Sequence, residues 1–128
     1  MPEDDGLYQV IDKAGPLSRP IEVDARIRLV REKPFYGPGV HQLLLLTEET
    51  RSLREACRRM GLSYSKGRGI ISAMEQQLGY PVIESRQGGK GGGYSVVTER
   101  GGDMARRYTA FCAEAKQNLD ALYQKHFL

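Results

Sequence analysis

Only two cysteines, Cys57 and Cys112, occur in the 128 residues. So small a number excludes a disulfide-stapled secreted scaffold. Both fall on apolar helical faces, which suits buried thiols in a reducing, cytoplasmic compartment. No apolar run is longer than residues 43–46, whereas a bilayer span needs about 20 such residues, so no membrane partner is expected. No leader peptide is expected, because the first residues are acidic at Glu3, Asp4 and Asp5 and no apolar segment follows. The two histidines, His41 and His126, stand far apart. No His, Cys, Asp and Glu group has metal spacing and no nucleophile is placed beside a base, so no enzyme, cofactor or metal is expected. A large excess of charge is also lacking: 19 basic residues against 16 acidic ones leave a formal +3. What remains is one domain with enough chain for a core. Its charge is unevenly spread, since residues 51–68 hold six basic side chains and one acid, Glu55.

That basic stretch belongs to the segment around which the chain is organised, residues 52–79. Ser52 and Glu55 have capping-box spacing, and Leu53, Ala56, Cys57 and Met60 follow at helical period. Gly61 suits the left-handed position that ends a helix, and Ser63 suits the N-cap of the next. In that second helix Gly67, Ile70, Ile71, Met74 and Leu78 share one face. The opposite face carries Ser65, Arg68, Gly69, Ser72 and Gln76, without a carboxylate. A solvated face usually mixes charge signs; this one suits a polyanion. Short helix, glycine turn and longer helix is the helix-turn-helix pattern, against the plainer reading of a helix pair inside a core. Gly67 and Gly69 lower the intrinsic stability of the second helix and are expected to leave it adjustable until DNA is bound.

Residues 1–20 contain glycine and proline with little periodicity and are expected to form a flexible tail. From Ile21 to Leu29 apolar and charged residues alternate, which predicts a half-buried strand. Pro34, Gly37, Pro38 and Gly39 break the chain. Pro38 then opens a helix with Val40, Leu43, Leu44 and Thr47 facing inward, ending near Thr50. After Pro81 two short β-prone segments flank Gln-Gly-Gly-Lys-Gly-Gly-Gly at 87–93, which predicts a β-hairpin with Lys90 at its tip and Arg86 at its base. A nucleotide cradle fits poorly: Gly91 stands where a P-loop needs Ser or Thr, and the loop joins strand to strand. Thr98 is the expected N-cap of a last helix, in which Gly101 and Gly102 should each cost about 1 kcal/mol. Met104, Tyr108, Phe111, Ala115, Leu119 and Leu122 form its long apolar stripe, with Cys112 and Tyr123 beside it. A stripe of that length is read as a homodimer contact, with packing back on its own domain as the alternative.

Residues 52–101 resemble the winged helix-turn-helix of LysR-type bacterial regulators. More closely, residues 21–128 resemble the N-terminal DNA-binding domain of the ModE family of molybdate-responsive repressors. The likeness rests on the leading strand, Gly-Leu-Ser-Tyr at 61–64, Gly-Gly-Lys-Gly-Gly-Gly at 88–93, and Thr98 with Gly101 opening the last helix. It implies a mostly α fold with a small β wing and a long C-terminal dimerisation helix, 99–128. It also implies a bacterial, cytoplasmic, nucleoid-associated regulator that binds an inverted repeat in double-stranded DNA as a homodimer. ModE proteins sense molybdate through a second region. This chain stops at Leu128, so DNA binding without molybdate sensing is the expectation, and no small-molecule effector is assigned.

The candidate DNA-contacting residues are Ser63, Tyr64, Ser65, Lys66, Arg68, Ser72, Gln76, Arg86 and Lys90. Of the outward residues of the second helix, Ser65, Arg68, Ser72 and Gln76, Arg68 alone can make a bidentate contact to guanine, and Tyr64 and Lys66 lie at the flanks, where phosphate is nearer. The alternative is a winged-helix protein-interaction module that does not bind DNA, since fold does not fix function. Such a module has no need to keep Arg68, Arg86 and Lys90 together.

Overall fold

The computed structural model describes residues 19–88 and 93–128. The expected tail, through residue 18, and Lys90 at the hairpin tip lie outside them. Contacts divide the chain into two units, Arg26–Ala110 and a smaller one joining Met1–Ala25 to Phe111–Leu128. The described chain is mostly helical, with two small antiparallel strand pairs.

In the larger unit, β1 (Leu29–Val30) pairs with β2 (Pro34–Tyr36), Leu29 opposite Tyr36. The strand expected over residues 21–29 is therefore shorter than its alternation suggests. A strand persists only where a ladder partner exists, and β2 ends at Tyr36, after which Gly37 caps a helix that opens at Pro38. Val23, Ile27 and Leu29 are nonetheless more buried than the residues between them.

Helix α1 (Pro38–Thr50) starts with proline in its first turn and buries Leu43, Leu44 and Thr47. It ends at Arg51, whose φ of 58° is left-handed and whose N–H donates to Thr47 O. Helix α2 (Leu53–Arg59) is capped by Ser52 Oγ, which accepts from Glu55 N at 2.9 Å. Only half of the expected capping box forms: Ser52 N donates to Thr50 Oγ1 instead, and the Glu55 carboxylate turns to Arg58 and Arg59. Gly61, at φ 70°, makes the turn. Helix α3 (Tyr64–Leu78) is capped by Ser63 Oγ on Lys66 N and ends at Gly79. Gly67, Ile71 and Met74 are its buried residues.

Gly67 is where α3 meets α2. A Cβ there would collide with Cys57 Sγ, so this glycine is a packing requirement and not the source of flexibility that composition alone suggests. Beyond α3, Glu75 Oε2 accepts from Val82 N at 2.8 Å and Ile83 N at 3.3 Å, which fixes the chain's entry into β3 (Ile83–Arg86). β3 pairs with β4 (Tyr94–Val97) from Ile83↔Val97 to Arg86↔Tyr94.

Helix α4 runs over Glu99–Phe127. Thr98 Oγ1 accepts from Gly101 N and donates to Pro81 O, tying the helix start to the connection between α3 and β3. Gly101 is buried against Val82, where an added Cβ would lie 2.6 Å from the Val82 carbonyl oxygen. Its low helix propensity is thus offset by close packing. Within the larger unit Tyr108 packs edge-on against Tyr36 with ring centroids 4.9 Å apart, and its hydroxyl donates to Ile27 O at 2.6 Å. In the smaller unit Lys116 Nζ donates to Val23 O and pairs with Asp120, both at 2.8 Å. No helix among the described residues is long and apolar enough to cross a membrane.

Candidate nucleic-acid interface

The 3.6-residue period of α3 sends Gly67, Ile71 and Met74 inward, and Ser65, Arg68, Gly69, Ser72 and Gln76 all stand exposed on the other side. Lys66 is exposed as well, and Ser63 has its hydroxyl engaged as the cap. Tyr64 is half-buried and central to the site. The Arg54 guanidinium lies 4.0 Å from its ring centroid and that of Arg68 5.9 Å. Arg68 Nη1 also donates to the Tyr64 hydroxyl at 3.4 Å, a long bond that steers the arginine along the helix face.

The basic residues of 51–68 are not equivalent. Arg58 and Arg59 both donate to Glu55, and Arg59 also reaches Glu49 at 3.0 Å. Hydrogen bonds from those two guanidinium groups hold the Glu55 carboxyl down at about 2, so it stays charged and keeps both arginines occupied at any ordinary pH. Arg51, Arg54, Lys66 and Arg68 have no carboxylate at ion-pair distance among the described residues. Arg86 does have one, Glu84 Oε2 at 3.2 Å two residues back on the same strand, so its charge is partly answered locally.

Two elements carry residues that sequence reasoning passed over. Arg51 lies with its guanidinium 4.8 Å from the Tyr94 ring centroid, and its carbonyl accepts from Ser95 N at 2.9 Å. Ser95 Oγ in turn accepts from Leu53 N at 3.3 Å. These contacts dock β4 on the corner between α1 and α2. Between them lies an open groove of about 510 Å³, lined among others by Ser52, Arg54, Tyr64, Ser85, Arg86 and Ser95. Arg51 and Arg54 were visible as part of the basic run, but nothing in the spacing separates them from Arg58 and Arg59 except the position of Glu55.

The apolar stripe of α4 is divided. Tyr108 is a correction, because it is buried in the core of its own chain and does not stand on an open face. Met104, Ala115 and Leu119 are half-buried, and Phe111 and Leu122 are 53% and 49% exposed. Cys57 is buried, which pushes its thiol pKa up, and Cys112 is half-buried. Among the described residues no three His, Cys, Asp or Glu side chains are placed to hold a metal ion.

No family model matches the chain. Over 84 residues it is 37% identical to the molybdenum-pterin-binding protein MopB of Rhodobacter capsulatus, a match that covers 64% of this chain and 31% of that protein. The likeness thus spans less than a third of the relative's length, and it suggests kinship with the ModE and Mop proteins and no more than that.

Proposed function

We propose that the chain is a winged helix-turn-helix transcriptional regulator that binds an inverted-repeat operator in double-stranded DNA as a homodimer. In this reading α3 enters the major groove and the β3–β4 hairpin lies on the flanking backbone or minor groove. The observation that carries it is the exposed row Ser65, Arg68, Gly69, Ser72 and Gln76 on α3, with Arg68 set along it by Tyr64 and the neighbouring Glu75 carboxylate turned to Val82 N and Ile83 N. An arginine on that face has the donor fork that matches guanine O6 and N7, worth about 1–3 kcal/mol of discrimination. Ser65, Ser72 and Gln76 can read neighbouring base edges. Lys66 is better placed for phosphate, whose contacts position the protein without specifying sequence.

Selection of bound duplexes from a random pool tests the reading. The wild type is expected to enrich an inverted repeat, and Arg68→Ala to lose discrimination at one symmetric pair of positions while keeping it elsewhere. A uniform loss across all base variants would make Arg68 a backbone contact. A wild-type chain that enriches nothing would instead leave the protein-interaction module. The relative's name favours a second ligand, a molybdenum-pterin compound; equilibrium dialysis against molybdopterin would decide it, and retention would add a ligand to the regulator without replacing DNA.

A further inference from the structure

We propose that the corner between α1 and α2 is a seat for one phosphodiester of the DNA backbone, gripped by Arg51 and Arg54; this rests on the DNA-binding reading above. The first observation is a backbone one. Among the described residues the left-handed positions are Arg51, Gly61 and Gly79, one following each of α1, α2 and α3. Glycine meets that conformation without strain, and arginine does not. A strained residue held at a surface corner points to a use for its side chain.

The second observation is what the two arginines touch. Each guanidinium lies over a tyrosine ring, Arg51 on Tyr94 and Arg54 on Tyr64, and neither has a carboxylate partner among the described residues. Their neighbours Arg58 and Arg59 are both tied to Glu55. An aromatic face orients a guanidinium while leaving its N–H fork free for an anion.

The third is the groove itself. Ser52 Oγ and Ser95 Oγ each accept a backbone N–H, from Glu55 and Leu53. Neither hydroxyl proton has a protein acceptor among the described residues, and both line the groove with Arg54. The Arg54 guanidinium and these hydroxyls line one open site, and Arg51 stands beside it over the Tyr94 ring, which lines it too; such donors match the two unesterified oxygens of a phosphodiester. The source is duplex DNA because an adjoining cleft shares Tyr64, Ser85 and Ser95 with this groove and continues to Arg68 and Ser72. A strand whose bases meet Arg68 would pass its backbone here.

The test uses the selected duplex and two variants. Arg51→Gly is expected to hold or raise the thermal midpoint while weakening DNA about tenfold, and Arg54→Ala to weaken it similarly. Each should leave sequence preference intact and make the salt slope shallower by about 0.9. A scan of methylphosphonates in the duplex should find one position per half-site that costs the wild type and adds nothing in Arg54→Ala. If the two losses add at every position, or if both variants keep wild-type affinity and slope while Arg68→Ala loses discrimination, the seat is wrong and the regulator stands. If Arg51→Gly loses stability together with affinity, Arg51 is structural and its role here falls. Saturable submillimolar binding of inorganic phosphate, followed at the Ser52 and Ser95 amides, would make this a site for a free oxyanion and overturn the DNA assignment. A wild type that binds no duplex removes the regulator reading, and the seat with it.

Discussion

Gly67 and Gly69 stand on opposite faces of α3 and answer to different constraints. Gly67 is buried against Cys57, and any side chain would displace the sulfur. Overpacking of that kind typically costs about 1–3 kcal/mol, so Gly67→Ala should unfold at lower urea. Adding Cys57→Ala, which vacates the sulfur's space, should restore part of the loss. Gly69 is exposed, has no positive φ, and has nothing within 4 Å of an added Cβ. There the helix-propensity term acts alone, and Gly69→Ala should stabilise the protein by about 1 kcal/mol in the same urea titration. Equal effects of the two substitutions would mean that propensity, not the contact with Cys57, governs both. The distinction could not be made from composition, since a glycine on an inward stripe reads either as a weak helix former or as a point of close approach. Only the identity of the facing atom separates them.

At the scale of elements, α1, β2 and α4 are joined by a small polar cluster around His41. Its Nδ1 lies 2.8 Å from the Tyr36 hydroxyl and its Nε2 3.0 Å from Thr109 Oγ1. Thr109 Oγ1 donates its own proton to Ala105 O, so His41 is the donor at Nε2. Burial lowers the pKa of His41 and favours the neutral ring, in which Nδ1 accepts from the Tyr36 hydroxyl. A histidine depressed on folding contributes stability that is present above its unfolded value of about 6.5 and is lost as pH falls below it. The melting temperature should therefore drop between about pH 7 and pH 5, and His41→Gln should flatten that slope; a wild type whose midpoint is level there would remove the cluster from the stability account. None of this was legible in the sequence, where His41 is one side chain on a presumed helix. Helix limits were legible at Ser52, Gly61, Ser63 and Thr98, because caps are local chemistry. The outward face of α3 was legible for the same reason, through its period. The strand from Ile21 was over-read because a strand needs a partner that alternation does not supply. The groove was out of reach, since it depends on contacts such as Leu53 to Ser95, 42 positions apart in the chain.

For the whole molecule, the proposed regulator raises the question of how many copies would bind one operator. An inverted repeat is matched by two-fold symmetry in the protein, and in that proposal α4 would supply the surface for it. Tyr108 is withdrawn from that surface by the chain's own core, which leaves Phe111 and Leu122 as its large exposed apolar side chains, with Leu119 half-buried. Each is already about half covered, so burial by a second copy would contribute roughly half of the 1.5–3 kcal/mol that full burial brings. Repeated across a two-fold axis, these contributions favour a dimer and work against the cost of association. Sedimentation equilibrium should then give a dimer for the wild type and a monomer for Phe111→Asp, because an aspartate facing its own copy adds charge repulsion to the lost burial. The folded state of the variant can be checked independently, since Phe111 is 53% exposed and its replacement leaves the core residues Tyr36, Leu43 and Met74 untouched. A folded Phe111→Asp monomer should retain the α3 face yet bind the selected repeat with the weak affinity of a single half-site. If it remains a dimer, the two-fold contact lies elsewhere on the chain. If the wild type is itself a monomer at micromolar concentration, the two halves of the operator must be met by independent copies, and the enriched sites should then show a single half-site in place of a fixed repeat.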